Sequence, residues 1–447
     1  MLSLSQLDEL IAAGEVDTVI VGFADMQGRL VGKRVAARLF SEEVAKHGAE
    51  CCNYLLAVDV EMNTVGGYAM SSWDTGYGDM VMAPDFSTLR RIPWQPGTAL
   101  VIADLCGHDG APVRQAPRAI LAAQIDRLAQ RGLVPYVGTE LEFMVFDNTY
   151  REAWALGYRG LTPATDYNVD YAIHASTRLE PLLRDIRLSM IGAGMYCEGV
   201  KGECNRGQQE IAFRYDHALV TCDNHTIYKN GAKEIAERHG KSVTFMAKFD
   251  EQEGNSCHIH ISLREGDERA VFADPDGGMS EFFRSFVAGQ LATLRELTLF
   301  HAPNINSYKR FADGSFAPTA VAWGLDNRTC ALRVVGDGPG MRMECRVPGG
   351  DVNQYLAVAA LIAGGLHGIE QNLTLPDPLS GNAYESDALR LPTTLTEAAE
   401  LFAASAVARD AFGDDVVAHY LNNARVELAA YNSSVTDWER VRGFERL

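Results

Sequence analysis

The sequence predicts an α+β protein with a small and a large domain. Helix-like and strand-like patterns both occur along its 447 residues, without the regular strand–helix alternation of a parallel α/β sheet. Three strand-like apolar runs lie near the start of the chain, at 18–23, 55–60 and 99–105. A stretch rich in turn residues follows at 107–117. We therefore expect an N-terminal domain over 1–110 and a C-terminal domain over 111–447.

The larger domain is expected to contain several helices. Residues 117–130 have the apolar spacing of a helix, with Pro117 at the start and Gly132 just beyond the end. Further helical patterns occur at 224–239, 281–300, 352–370 and 436–444.

Composition and charge exclude several classes of protein. The chain is 47% hydrophobic and 22% charged, which is typical of a globular protein and not of a disordered one. Its net charge of −19 argues against a duplex nucleic-acid partner, because phosphate binding requires a basic surface. The nine cysteines form no CxxC pair, and no apolar run is long enough to span a membrane. We expect reduced thiols in a soluble, cytoplasmic protein without a membrane partner.

Four short segments alternate ionisable with apolar residues, so each would have one charged face as a strand. They are 139–145, 210–215, 258–263 and 342–347. Their charged faces would hold Glu140, Glu142, Glu210, Arg214, His258, His260, Arg342, Glu344 and Arg346. Taken singly, each segment is equally well explained as a half-solvated antiparallel strand.

Taken together, the four faces favour a binding site. Converging carboxylates repel one another unless cations lie among them, and carboxylates with an imidazole suit Mg²⁺ or Mn²⁺. The arginines then require an anion, and a polyphosphate fits, which suggests ATP-dependent phosphoryl transfer. No P-loop motif is present, and the G-x-G-x-G run at 336–340 is interpreted as a flexible turn. We expect a nucleotide site built from strands.

Several motifs resemble those of the glutamine synthetase superfamily. In chain order they are TELEF (139–143), GQQE (207–210), GNSCHIHISL (254–263), NSYKRF (306–311), DNRTCALR (326–333) and RMECRVPGGDVNQYLAVAAL (342–361). The resemblance implies a small N-terminal β-grasp domain and a large catalytic domain with a strand-built, funnel-shaped site. It also implies a homododecamer of stacked hexameric rings, with each site completed by the neighbouring N-terminal domain.

The resemblance assigns roles to individual residues. One metal ion, Mg²⁺ or Mn²⁺, would be held by Glu142, Glu203 and Glu210, and the other by Glu140, His258 and Glu344. Substrate-binding residues would be Gly254, Arg310, Phe316 and Arg346. ATP would be bound by Tyr215, His260, Ser262, Arg328, Arg333 and Arg342, and the catalytic residues would be Arg310 and Arg328.

The implied reaction is the ATP-dependent amidation of glutamate through a γ-glutamyl phosphate. Ammonia-using members typically have a glutamate in a P-G-x-E-A-P setting, where this chain has ADGSFAP with Phe316 at that position. The DGSS sequence of those members is also not recognisable near Asp59. At these positions the chain is more similar to the glutamate–amine ligases, which act on polyamines or ethanolamine.

The sequence leaves two alternatives open. The first is a glutamine synthetase that uses ammonia, and the second is a non-catalytic scaffold with a synthetase-like fold. The sequence does not choose among ethanolamine, a diamine, a polyamine and an aromatic amine as the acceptor.

Overall fold

This computed structural model describes residues 1–266 and 268–447, and two β-sheets organise them. The strands are β1 (Thr18–Ala24), β2 (Leu30–Ala36), β3 (Ala49–Cys52), β4 (Asp79–Pro84), β5 (Arg90–Arg91), β6 (Thr98–Cys106), β7 (Leu133–Phe146), β8 (Cys197–Gly202), β9 (Gln208–Phe213), β10 (Asp216–His217), β11 (Ser242–Thr244), β12 (Cys257–Glu265), β13 (Arg269–Ala270), β14 (Trp323–Leu325), β15 (Leu332–Val335) and β16 (Arg342–Cys345).

Helices cover the sheets and connect their strands. They are α1 (Leu4–Ala12), α2 (Ala37–Leu39), α3 (Ala45–His47), α4 (Pro117–Ala129), α5 (Tyr150–Ala155), α6 (Ile173–Ser176), α7 (Glu180–Gly192), α8 (Ala218–Arg238), α9 (Glu281–Thr293), α10 (Thr298–His301), α11 (Gln354–Glu370), α12 (Leu395–Ala404), α13 (Ala406–Phe412), α14 (Asp414–Ser433) and α15 (Asp437–Gly443). No helix in the described part of the chain is both long and apolar enough to cross a membrane.

The N-terminal sheet has the strand order β2-β1-β6-β4-β3, with β5 also paired to β6. Strands β1 and β6 run parallel, and the other pairs are antiparallel. The second sheet has the order β14-β15-β16-β12-β7-β9-β8. Its central strand β7 is 14 residues long and pairs with β12 over nine positions, which makes this pair the axis of the larger half. The mixture of helices and sheets confirms the α+β prediction.

Some predicted elements differ from the structure. Residues 55–60 are not a strand: the first two end a 3₁₀ turn at Asn53–Leu56, and Val58 forms only an isolated bridge with Thr64. Leu56 and Val58 are nevertheless buried. The apolar run therefore reflects burial and not sheet pairing. The strand predicted at 210–215 ends at Phe213, because the chain then leaves β9 to form β10 against β7. The limits of the two domains stay a prediction.

The helix predicted at 281–300 is interrupted between α9 and α10. The Thr293 hydroxyl donates to the carbonyl of Gly289 at 2.8 Å, and the Thr298 hydroxyl donates to that of Leu294 at 2.6 Å. Such bonds to the carbonyl four residues earlier bend helices, which explains the break. The other predicted helices are confirmed, and α8 begins earlier than expected, at Ala218.

Helices α9 and α11 approach closely because glycines line their contact. A Cβ atom added at Gly289 would lie 2.2 Å from the carbonyl oxygen of Gly364 and 2.5 Å from the amide nitrogen of Gly368. Both neighbours are backbone atoms, so the clash cannot be relieved by a side-chain rotation. The interface between these two helices therefore requires glycine at 289.

We predict that Gly289→Ala destabilises the protein by about 1–3 kcal/mol, the usual cost of overpacking. Alanine favours a helix over glycine by up to about 1 kcal/mol, but the backbone clash opposes this gain. Chemical denaturation measures the change. Gly443→Ala in α15 is the control, because its Cβ would meet only Leu447 at 3.9 Å. Equal stability of Gly289→Ala and the wild type would contradict this packing.

Candidate active site

The pairing of β7 with its neighbours brings four charged side chains together. Glu140 lies opposite His258 on β12, and Glu142 lies opposite Glu210 on β9. Directly opposed residues of antiparallel strands have their side chains on the same face. The alternation that the sequence shows in each segment therefore becomes one continuous charged surface.

A second row extends this surface across β16. His260 on β12 lies opposite Glu344, and Glu344 lies opposite Arg333 on β15. Together the rows border a cavity of about 310 Å³. Among its lining residues are Glu140, Glu142, Lys201, Glu203, Glu210, Gly254, His258, Phe316, Arg328, Arg333, Glu344 and Arg346. We call this space the carboxylate cavity.

Glu344 is a fully buried anion held by two arginines. Its carboxylate accepts hydrogen bonds from Arg346 Nη1 at 2.6 Å and from Arg333 Nη1 at 2.8 Å. Burial alone would raise the pKa of Glu344, but the charges of His258 and the two arginines hold this pKa at about 2. Glu344 therefore stays ionised and fixes both arginines at the cavity wall.

Glu140 is held in the same way by histidines. Its carboxylate oxygens lie 3.3 Å from His258 Nδ1 and 2.9 Å from His260 Nε2. Burial opposes ionisation, but the hydrogen bonds and charges of both imidazoles keep the pKa of Glu140 well below its usual range.

The pKa of Glu210 is shifted in the opposite direction. Burial, together with the negative charges of Glu140, Glu142 and Glu344, raises the pKa of Glu210 to about 8. The ammonium group of Lys201 opposes this shift from 3.9 Å and also pairs with Glu203. Negative charge is thus in excess around Glu210, as expected of a site that binds cations.

Two groups of side chains have the geometry to hold a metal ion. Ligand atoms of Glu142, Glu203 and Glu210 lie within 4.8 Å of one another, and this is the first set implied by the resemblance. The second group is Glu140, His260 and Glu344, with His260 where the resemblance implies His258. His258 Nδ1 also lies 3.5 Å from Glu344, and its buried Nε2 has no partner among the described residues. Carboxylate oxygens with one imidazole fit Mg²⁺ or Mn²⁺.

Arg310 lies behind the cavity wall and does not line the cavity. It is 2% exposed and donates to the carbonyls of Val347 and Arg346 at 2.8 and 2.9 Å. It also donates to the Ser256 hydroxyl at 2.9 Å, and the Ser256 amide donates to Glu142 at 2.6 Å. The structure therefore places Arg310 where it orients Arg346 and Glu142.

Gly254 and Phe316 line the carboxylate cavity. A Cβ at Gly254 would lie 2.1 Å from the carbonyl oxygen of Ala247, so only glycine fits there. Phe316 has a left-handed backbone (φ 58°) and is 55% exposed, so its ring is outside the core. Its carbonyl accepts a hydrogen bond from Arg346 at 3.3 Å.

The predicted ATP residues divide between two adjoining cavities. Tyr215, His260, Ser262 and Arg342 line a separate space of about 320 Å³, which we call the nucleotide cavity. Arg328 and Arg333 line the carboxylate cavity instead. Both cavities include Glu140, so they meet at that residue. An elongated anion can therefore extend from one cavity into the other.

Two residues of the site were missed by sequence reasoning. Lys201 on β8 lies opposite Glu210 on β9, and Ser256 immediately precedes β12. For Lys201, the available signal in the sequence was its position two residues before Glu203. Nothing in the sequence indicated the backbone contact of Ser256.

The fold and site define a member of a known enzyme family. Residues 114–442 match the model of the glutamine synthetase catalytic domain, and the chain belongs to this family. It is 63% identical over 446 residues to the γ-glutamylethanolamide synthetase of Streptomyces coelicolor, covering 100% of this chain and 96% of that enzyme. It is 37% identical to a glutamate–isopropylamine ligase of a Pseudomonas species, covering 97% and 96% of the two chains. The ligand-free structure of GmaS is 28% identical, with a TM-score of 0.86 and coverage of 99% and 100%.

We predict that Glu210→Gln weakens Mn²⁺ binding about tenfold or more, because it removes one of three carboxylates from the first group. Calorimetric titration with Mn²⁺ measures the affinity, and thermal unfolding tests that the fold is intact. Glu281→Gln is the matched control, since that side chain is 94% exposed on α9. Unchanged Mn²⁺ affinity, or full activity in excess chelator, would contradict the assignment.

Proposed function

We propose that the protein is an ATP-dependent ligase that joins the γ-carboxylate of glutamate to a small primary amine, with ethanolamine as the first candidate. The observation that carries the proposal is the junction of the nucleotide and carboxylate cavities at Glu140. It allows a triphosphate to reach arginines and carboxylates in a second space. The relatives named for ethanolamine and isopropylamine support an amine as acceptor.

The charged side chains of the carboxylate cavity suit the first chemical step, which is the phosphorylation of glutamate. An oxygen of the substrate γ-carboxylate attacks the γ-phosphorus of ATP, and the bond from that phosphorus to ADP breaks. Arg333 and Arg328, which line the carboxylate cavity, stabilise the negative charge of the phosphoryl group as it moves. Mg²⁺ or Mn²⁺ ions bound by the two glutamate-rich groups would supply further charge neutralisation.

Glutamate is positioned by Arg346 and by the backbone at Gly254. Arg346 has a buried guanidinium fixed by Glu344 and by the Phe316 carbonyl. Such an arginine offers a rigid planar donor for a substrate carboxylate. Arg310 orients this wall from behind, so we assign it a positioning role.

The second step forms the amide bond. The amine nitrogen attacks the carbonyl carbon of the γ-glutamyl phosphate, the bond to the phosphate oxygen breaks, and phosphate leaves as the nitrogen loses a proton. Phe316, an exposed residue that lines the cavity, favours a carbon-bearing amine. An aromatic face stabilises a nearby cation by about 0.5–2 kcal/mol, whereas ammonium requires carboxylates or carbonyls to offset its desolvation.

The two alternatives, a non-catalytic scaffold and a glutamine synthetase that uses ammonia, receive less support. The complete sets of glutamates, histidine and arginines argue against a non-catalytic scaffold, since burying these charges is costly without a ligand. An ammonia site is disfavoured because Phe316 stands where ammonia-using members have a glutamate. The nine free cysteines fit a reducing cytoplasm.

We predict that ethanolamine gives the highest kcat/KM in a panel with isopropylamine, putrescine, cadaverine, spermidine, spermine and ammonium. Phosphate release from ATP in the presence of glutamate measures each rate. Faster turnover of ammonium than of every organic amine would establish the ammonia-using alternative instead.

Exchanging the aromatic ring at residue 316 tests its part in this preference. Phe316→Glu is expected to lower kcat/KM for the preferred amine about tenfold, because the apolar contact is lost. Phe316→Tyr keeps the ring and is the matched control, with near wild-type rates. Equal rates for the two variants would remove Phe316 from the acceptor site.

We also propose a ring-shaped homododecamer. The exposed apolar side chains of the C-terminal segment, among them Trp438 and Phe444, support burial against another chain. Light scattering is expected to give twelve times the chain mass of 48.8 kDa. A fully active monomer would contradict this proposal.

A further inference from the structure

Residues 312–319 form a loop that lines the carboxylate cavity with Ser315 and Phe316, and we call it the Phe316 loop. Phe316 has a φ of 58°, in the left-handed region that bulky side chains rarely adopt. Such a conformation persists only where the surrounding structure holds it, and it is common at functional sites. The contacts that hold this backbone therefore decide where the Phe316 ring lies.

Two hydrogen bonds fix consecutive carbonyl groups of the Phe316 loop. Arg346, on the cavity wall, donates to the Phe316 carbonyl at 3.3 Å. The Tyr384 hydroxyl donates to the Ala317 carbonyl at 3.1 Å. Ala317 is 2% exposed, so loss of the hydroxyl would leave a buried carbonyl without this partner, which is costly.

The segment that contains Tyr384, residues 383–391, is paired with the chain at the end of the Phe316 loop. The amide of Val321 donates to the Leu389 carbonyl at 2.7 Å, and the amide of Leu391 donates to the Thr319 carbonyl at 3.0 Å. The position of this segment relative to the loop is therefore fixed by the backbone.

Arg390 links Tyr384 to the same loop through its side chain. Its Nη2 donates to the Tyr384 carbonyl at 2.8 Å, and its Nη1 donates to the Thr319 hydroxyl at 3.1 Å. The Thr319 hydroxyl in turn donates to the Asp313 carboxylate at 3.1 Å. One series of hydrogen bonds thus joins Tyr384 to both ends of the Phe316 loop.

We propose that Tyr384 is a positioning residue for the acceptor amine: its hydroxyl holds the backbone at 316–317 and thereby the Phe316 ring. Arg390 fixes Tyr384 in turn. Tyr384 lies outside the lining of the carboxylate cavity, so it acts through Phe316 and not by contact with the substrate. The inference rests on the proposed function, in which Phe316 favours a carbon-bearing amine.

Tyr384→Phe tests this role, because it removes the hydroxyl and keeps the ring. The KM for ethanolamine is expected to rise about three- to tenfold, the range for loss of one hydrogen bond. The KM values for ATP and glutamate, and kcat at saturating ethanolamine, should stay near those of the wild type. Tyr158→Phe is the matched control, because that side chain is 54% exposed and lies outside both cavities.

A double-mutant cycle tests whether Tyr384 acts through Phe316. In a Phe316→Ala background, adding Tyr384→Phe is expected to leave the KM for ethanolamine unchanged, because the ring that Tyr384 positions is already absent. Equal fold-changes in the two backgrounds would show that Tyr384 acts by another route.

Hydrogen exchange of the full-length protein gives a readout that does not require turnover. Amides of residues 312–319 are expected to exchange faster in Tyr384→Phe than in the wild type, whereas those of β7 should be unaffected. Unchanged exchange in 312–319, an unchanged KM for ethanolamine, or an equal rise in all three KM values would overturn the proposal. Failure of the proposed function is a separate result: the wild type would then turn over no organic amine, and the acceptor role of Tyr384 would fail with it.

Discussion

The register between β7 and its neighbours β12 and β9 determines where the charged groups of the protein meet. It sets Glu140 opposite His258 and Glu142 opposite Glu210. A slip of one residue would turn the carboxylates of β7 into the core and bring its apolar side chains to the cavity. Nine paired positions between β7 and β12, with apolar residues such as Ile259 and Ile261 buried on the opposite face, oppose that slip.

Charge is balanced differently on the two sides of the carboxylate cavity. Arginines and histidines neutralise Glu344 and Glu140, whose pKa values are lowered. Around Glu210, Lys201 supplies the neighbouring positive charge, and the pKa of Glu210 is nevertheless raised. Bound cations are therefore needed most at the group formed by Glu142, Glu203 and Glu210. The same imbalance would repel ATP and glutamate unless the arginines of β15 and β16 and added ions offset it.

Local periodicity was sufficient to predict the charged faces of β7, β12 and β16, because alternation along a strand is a property of the sequence itself. Burial of Arg310 behind the wall depends on contacts with Val347 and Ser256, which no local pattern encodes. The apolar run at 55–60 was predicted wrongly for the same reason: core packing and strand pairing select similar residues. The family motifs identified the candidate site residues, whereas the structure showed which of them line the same cavity.

The proposed reaction depends on phosphorylation of the glutamate γ-carboxylate at the junction of the two cavities. Glutamate labelled with ¹⁸O in its γ-carboxylate tests this most directly, with mass spectrometry of the phosphate released during amide formation. We expect one labelled oxygen in each phosphate, because the carboxylate oxygen leaves with the phosphoryl group. Unlabelled phosphate at a normal rate of amide formation would contradict it.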